Sequence, residues 1–304
     1  MERSRASDPD RLVEAVNADT RGRWTLRRRL NGGANGGAYL VCDAAGAHAV
    51  LKVLSRDTER VIAADRTVPA FERAAAAANL VDIARRRGWP TPEWYAFGQA
   101  ATGETWTLQE FIEGAQPPKI DARLAEQTIE IFELQRGMLP DGHGGWDAWI
   151  TRVMFEGWEG LRARVQPLRG GQAIVSRIDA IAESCAGVVV RHGDLVHGDL
   201  NLTNMLATER RLLIIDVDAL NSGPRLFDLS KVLLIAGIFD QATPAGLRRL
   251  WSCAERADGR EFALCFGAAA LKIAEGVVGH GLSEVAPVYL SKIAAMLDRV
   301  RPLV

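Results

Sequence analysis

Residues 188–218 run VVVRHGDLVHGDLNLTNMLATERRLLIIDVD, and everything else in the chain is best understood outward from them. The stretch holds two His-Gly-Asp tripeptides, at 192–194 and 197–199, followed by two short apolar runs at 204–207 and 212–217 separated by the polar ATERR. Two such runs around a charged turn predict a β-hairpin. Asn204 stands five residues after Asp199, and Asp216 seventeen after it. Phosphoryl transfer needs a carboxylate to orient and deprotonate an attacking hydroxyl, and oxygen ligands to hold a divalent cation on the phosphates. A carboxylate and an amide five apart on a tight loop can face one pocket from both sides. A carboxylate at the mouth of an apolar strand is costly without a partner, and a cation is a natural one. Asp199 is therefore the candidate catalytic base, with Asn204 and Asp216 as candidate metal ligands. Asp218 would point the same way as Asp216 if the strand continues, which makes it a supporting ligand. The competing reading is an ordinary polar turn followed by a helix cap. The tripeptide alone decides little, because the upstream copy has Asp199, not Asn, five residues beyond Asp194.

The chain before this stretch has strand-like text at 24–30, 38–42, 48–54, 93–98 and 105–112, with a helical segment over 57–87 closed by Gly88, Pro90 and Pro92. Between the first two strands lies the loop NGGANGG, whose Gly32, Gly33, Asn35 and Gly36 would let the backbone approach phosphates. Lys52, inside HAVLKVL, can reach phosphate oxygens from a strand beside that flap. Glu72 is its candidate helix partner, with Glu59 the second choice. After the punctuation of 113–118 the text turns helical over 120–136, 146–165, 173–184, 244–256, 261–276 and 282–300. The fold class expected is α+β in a two-lobed, protein-kinase-like arrangement. A nucleotide-binding lobe over 1–113 combines a small antiparallel sheet with one helix. A larger, mainly helical lobe over 114–304 carries the catalytic loop and the acceptor site. The nucleotide is expected between the two.

The order of glycine flap, Lys52, Glu72, HGDxxxxN and strand-end Asp216 resembles the aminoglycoside phosphotransferase and choline-kinase-like family, from Asn31 through Asp228. The segment GPRLFDL at 223–229 is similar to the family's Gly-Asp-Pro-x-x-Asp-Leu pattern, and Asn201 stands where the family often has His. The resemblance implies that Asp199 is the base, that Asn204 and Asp216 ligate magnesium, with two ions expected, and that Lys52 paired to Glu72 binds the phosphates of ATP or GTP. It further implies that Gln109, Glu110 and Ile112 form the strand facing the purine, and that His197 and Asp228 support the catalytic loop. Only eleven residues separate Asp216 from Asp228, which leaves no room for a peptide-docking activation segment. A small-molecule hydroxyl is the acceptor implied: an antibiotic or related natural product, which suggests a resistance enzyme, or alternatively a sugar, amino alcohol or nucleoside. A non-catalytic nucleotide-binding protein is the third possibility, though every expected functional residue is present.

Composition sets the outer bounds. With 48% apolar and 25% charged residues and a net charge of −1, the chain shows no basic surplus for nucleic acid. Its longest apolar runs are too short to span a bilayer, and the N-terminus lacks a signal-peptide apolar segment, so a cytoplasmic monomer or homodimer is expected. Four scattered cysteines, Cys42, Cys185, Cys253 and Cys265, form no metal-ligand spacing. Residues 241–304 hold six acidic and eight basic side chains, no surplus for a polycationic acceptor. Trp146, Trp149 and Trp158 among acidic residues read as core packing, or as an aromatic wall for the acceptor.

Overall fold

In HAVLKVL every second residue is apolar, and the strand that forms there buries Ala49, Leu51 and Val53 on one face while Lys52 between them is half-buried. A computed structural model describes residues 9–30, 37–54, 69–142, 145–157, 160–279 and 285–303. They divide into two units, one drawn from 1–86 and 91–114, the other from 87–90 and 115–304.

The first unit begins with helix α1 (Pro9–Thr20) and contains one antiparallel sheet. Its strands are β1 (Thr25–Arg29), β2 (Ala38–Cys42), β3 (His48–Leu54), β4 (Trp94–Gln99) and β5 (Thr105–Glu110), in spatial order β1-β2-β3-β5-β4. Register sets Lys52 opposite Ala38 on one side and Thr107 on the other. Helix α2 (Ala70–Arg86) lies against β4 and β5 and buries Ala74, Ala77, Val81 and Ala84, a spacing that makes one apolar stripe. Leu12, Val13 and Val16 of α1 join Val41, Leu51, Trp106 and Leu108 in the core. The sequence offered no element at α1, whose apolar residues are few.

The second unit is built on α3 (Ala122–Gln135), α4 (Trp146–Phe155), α5 (Leu161–Val165), α6 (Gly171–Ser184), α7 (Leu226–Ile238), α8 (Pro244–Ala254), α9 (Gly259–Gly279) and α10 (Ala286–Val300). Asp121 caps α3 by accepting from the Leu124 amide, and Thr243 caps α8 just before Pro244. Helix α9 is apolar around much of its circumference, with Phe262, Phe266 and Leu271 fully buried, and α4, α5, α6, α7 and α10 pack around it. Two short strand pairs complete the unit: β6 (Asp194–Val196) with β9 (Asn221–Gly223), and the expected hairpin β7 (Met205–Ala207) with β8 (Leu212–Ile214). No helix among the described residues is long and apolar enough to cross a membrane.

Several boundaries move. The helix expected over 146–165 is two helices, because Gly157 and Gly160 take left-handed φ values of 66° and 60° between them. The strand expected over 212–217 ends at Ile214, and Asp216 turns to φ 65°. The helix expected over 57–87 is described from Ala70 onward, and residues 55–68 lie outside the described residues.

Candidate active site

The chain leaves β6, turns at Gly198 with φ 82°, makes one 3₁₀ turn at Leu202–Asn204 and enters β7. His197 is fully buried within it. The Asp199 amide donates to His197 Nδ1 at 3.1 Å, so that nitrogen is an acceptor, and the Nε2–H is left to donate to the Ile215 carbonyl at 2.9 Å. One neutral imidazole thus ties the Asp199 loop to the residue preceding Asp216. The other side of the ring faces Trp89, 6.4 Å between centroids.

Beneath the loop, Asp228 at the start of α7 is completely buried and accepts the His197 amide at 2.7 Å, the Gly198 amide at 2.8 Å and Gln135 Nε2 at 2.8 Å. Burial pushes its carboxyl above the usual range, opposed by the three hydrogen bonds it accepts. Above the loop, Trp146 stacks on Phe227 at 4.9 Å and donates its indole N–H to the Ala219 carbonyl. A Cβ at Gly198 would lie 2.1 Å from the Trp146 ring. Trp146 therefore packs on the loop that carries Asp199, and both it and Trp149 are half-buried. Trp158 lies outside the described residues.

Asp199 itself projects outward, its side chain 52% exposed. Both Asn201 Nδ2 and Asn204 Nδ2 donate to the Asp199 carbonyl, at 2.9 and 2.8 Å. With its amide N–H₂ engaged, Asn204 has its Oδ1 left for another partner. The Ile215 amide donates to the Asn204 carbonyl at 2.9 Å, which sets Asn204 and Asp216 on adjoining pieces of backbone. Asp216 is one of three non-glycine residues with positive φ among those described, a conformation that costs about 1–2 kcal/mol and is most often stored at functional sites. An amide oxygen and a carboxylate are donor types that suit a hard, oxygen-seeking cation. No three His, Cys, Asp or Glu side chains converge as a cage among the described residues. The strand ends at Ile214 and Asp216 takes a left-handed φ, so the condition under which Asp218 would point the same way as Asp216 is not met.

The upstream tripeptide has different work. Asp194 accepts from the Gly137 amide at 2.8 Å and from the Arg225 amide and guanidinium, clamping the end of α3 to the start of α7. In the first unit, Lys52 is at the middle of β3 and Glu72 is exposed in the first turn of α2. Gly32, Gly33, Asn35, Gly36 and Glu59 lie outside the described residues. Gln109 is buried and donates to Thr107 Oγ1, and the Glu110 carboxylate accepts from the Glu93 amide and Arg85. Ile112 lies just past the strand and is half-buried.

One partner of Asp199 was not anticipated. Lys231 of α7, 8% exposed, places Nζ 2.7 Å from Asp199 Oδ1. A signal existed: Lys231 follows Asp228 by three residues, one turn along the same helix face.

Comparison with known proteins fits this geometry. Over residues 26–263 the chain matches the phosphotransferase enzyme family. None of the curated proteins matches it in sequence. Among solved structures, a thermostable mutant of aminoglycoside phosphotransferase APH(4)-Ia in its apo form aligns with TM-score 0.68 at 15% identity, covering 95% of this chain and 98% of that one. The ternary complex of such a mutant with ADP and hygromycin B aligns at 0.63 and 14% identity, covering 94% and 97%. The amicoumacin kinase hAmiN, in complex with AMP-PNP, Ca2+ and Ami, aligns at 0.62 and 13% identity, covering 97% and 94%. At such identities the structural likeness speaks for the fold, and the family match across most of the chain speaks for the chemistry. The chain belongs to the phosphotransferase enzyme family and is a small-molecule kinase.

Proposed function

We propose that this kinase moves the γ-phosphoryl of ATP or GTP onto a hydroxyl of an antibiotic or related natural product, with Asp199 as the base. The observation that carries the proposal is the loop itself. His197, Asn201, Asn204 and Asp228 bond its backbone while the Asp199 carboxylate, held by Lys231, still stands half-exposed toward solvent. A positioned carboxylate on a fixed backbone is what an acceptor hydroxyl requires. The hydroxyl proton passes to Asp199 as the acceptor oxygen bonds to the γ-phosphorus, and the bond from that phosphorus to the β–γ bridging oxygen breaks to release the nucleoside diphosphate.

Magnesium, in one or two ions, would neutralise phosphate charge, and Asn204 Oδ1 with Asp216 are the oxygen ligands assigned to it. Lys52, supported by Glu72, and the loop of Gly32, Gly33, Asn35 and Gly36 are assigned to the phosphates. Strand β5 is paired on both sides, by β3 and β4, so the backbone of Gln109 and Glu110 is largely spent in the sheet. The purine contact is therefore assigned foremost to Ile112, just beyond. Structural neighbours solved with ADP and hygromycin B, and with AMP-PNP and Ca2+, support a nucleotide with a divalent cation and a natural-product acceptor.

The test is ADP release from MgATP, and GDP release from MgGTP, with hygromycin B, a macrolide, a nucleoside, a hexose and choline as acceptors. Turnover with an antibiotic supports the resistance reading, whereas turnover with the hexose or choline alone moves the enzyme to primary metabolism. Asp199→Ala is expected to lower turnover about 10²- to 10⁴-fold while nucleotide affinity holds. Unchanged turnover in that variant would remove Asp199 from the mechanism.

A further inference from the structure

We infer that Lys231 is a positioning residue for the phosphoryl-transfer base, fixing the Asp199 carboxylate so that one oxygen is firmly held and the other, more weakly held, is presented to the acceptor. The inference rests on the reading of Asp199 as base. Helix α7 meets the catalytic loop at two points one turn apart. Asp228 takes the amides of His197 and Gly198, and Lys231 takes the Asp199 side chain. The backbone and the carboxylate of the loop are thereby held by the same rigid element. Lys231 donates to Oδ1 at 2.7 Å, and Asn204 Nδ2 donates a longer bond to Oδ2 at 3.4 Å, so Oδ2 is the more weakly held oxygen and the one assigned to the acceptor proton.

Stability does not account for this lysine. Its neighbours along α7 are the buried Phe227, Leu229, Val232, Leu233 and Leu234, where an apolar side chain would pack without the cost of desolvating an ammonium. Its partner is half-exposed, and pairs with an exposed member contribute little to folding. A buried cation kept under such conditions at the reacting carboxylate is explained by orientation. It also cancels charge: an acceptor bearing an ammonium next to its reacting hydroxyl would find a neutralised pair in place of a bare carboxylate.

The experiment compares wild-type protein, Lys231→Met, Lys231→Gln and Lys231→Arg. Met removes the charge at near-constant volume and strands nothing buried, because Asp199 is open to water. ADP release from MgATP is followed with water alone and with whichever member of the acceptor panel turns over, alongside melting temperature and MgADP affinity. The expected result is a fall in kcat on the order of 10²-fold in K231M and K231Q. KM for MgATP and the melting temperature should stay close to wild type, and K231R should recover at least about tenfold by keeping the charge. The inference is overturned if K231M or K231Q keeps wild-type kcat. It is also overturned if the loss follows the melting temperature equally in all three variants, which marks a packing role. Asp199→Asn separates the two layers. An active Asp199→Asn enzyme removes the base itself. An inactive one beside a fully active K231M removes only the role of Lys231.

Discussion

At the level of single residues, the two His-Gly-Asp copies differ most in their glycines. Gly193 and Gly198 both sit at left-handed φ, 96° and 82°. Alanine at either position costs about 1–2 kcal/mol in backbone strain. Their surroundings differ. A Cβ at Gly193 would meet nothing closer than the Leu139 carbonyl at 3.5 Å, an ordinary contact. A Cβ at Gly198 would fall 2.1 Å from the Trp146 ring, which is itself pinned against Phe227 and hydrogen-bonded to Ala219. Gly198→Ala must therefore displace the indole or the loop, adding about 1–3 kcal/mol of overpacking and moving Asp199, the proposed base. We expect Gly193→Ala to lose only the strain energy in urea unfolding and to retain most turnover. Gly198→Ala should lose more stability and at least about 10²-fold in kcat. Equal losses in the two variants would mean that Trp146 does not set the position of the loop.

At the level of elements, helix α7 organises the site, and its contribution was the hardest part to foresee. The hairpin of β7 and β8 was legible because its apolar runs are short and a charged turn divides them, a pattern that only local pairing satisfies. The positions of Asn204 and Asp216, the proposed cation ligands, are set by that hairpin. Helix α7 gives no such signal: from Leu226 to Ile238 nearly every side chain is buried, so no polar face marks the helical period. Its contacts, Asp228 with Gln135 and Lys231 with Asp199, span 93 and 32 residues and exist only after packing. The short pair of β6 and β9 escaped notice for the same reason, since three-residue strands joined over long distance leave no period to detect. The reading of Asp218 depended on the strand running past Asp216, and the strand ends at Ile214, before the backbone turns left-handed. The role of α7 predicts a specific loss in Asp228→Asn. Asp228 faces three N–H groups and offers only acceptor oxygens, whereas an asparagine amide must turn N–H₂ toward at least one of them. A buried donor left unpaired costs about 1–3 kcal/mol. Chemical denaturation should show a loss of that size, with a fall in kcat and little change in nucleotide affinity. A variant as stable and active as wild type would show that the loop holds its shape without α7.

At the level of the whole molecule, the four cysteines test both cores at once. None is in a disulfide; Cys42, Cys185 and Cys265 are buried and Cys253 is partly so. Burial pushes the thiols of Cys185 and Cys253 up and that of Cys265 well up. Only the thiolate attacks an aromatic disulfide reagent, so a raised thiol is slow at pH 8 even when the reagent reaches it. The Cys42 thiol lies in the core of the first unit and donates to the Asp43 carbonyl. The other three belong to the second unit, with Cys265 inside the helix that every neighbour surrounds. Titration of native protein with DTNB at pH 8 should therefore release about one equivalent slowly, from Cys253, and the full four only on unfolding. Because no thiol takes part in the proposed transfer, turnover should survive modification of Cys253 and be indifferent to reductant. Rapid release of more than one equivalent from the native enzyme would mean that one of the two cores opens far more readily than its packing indicates.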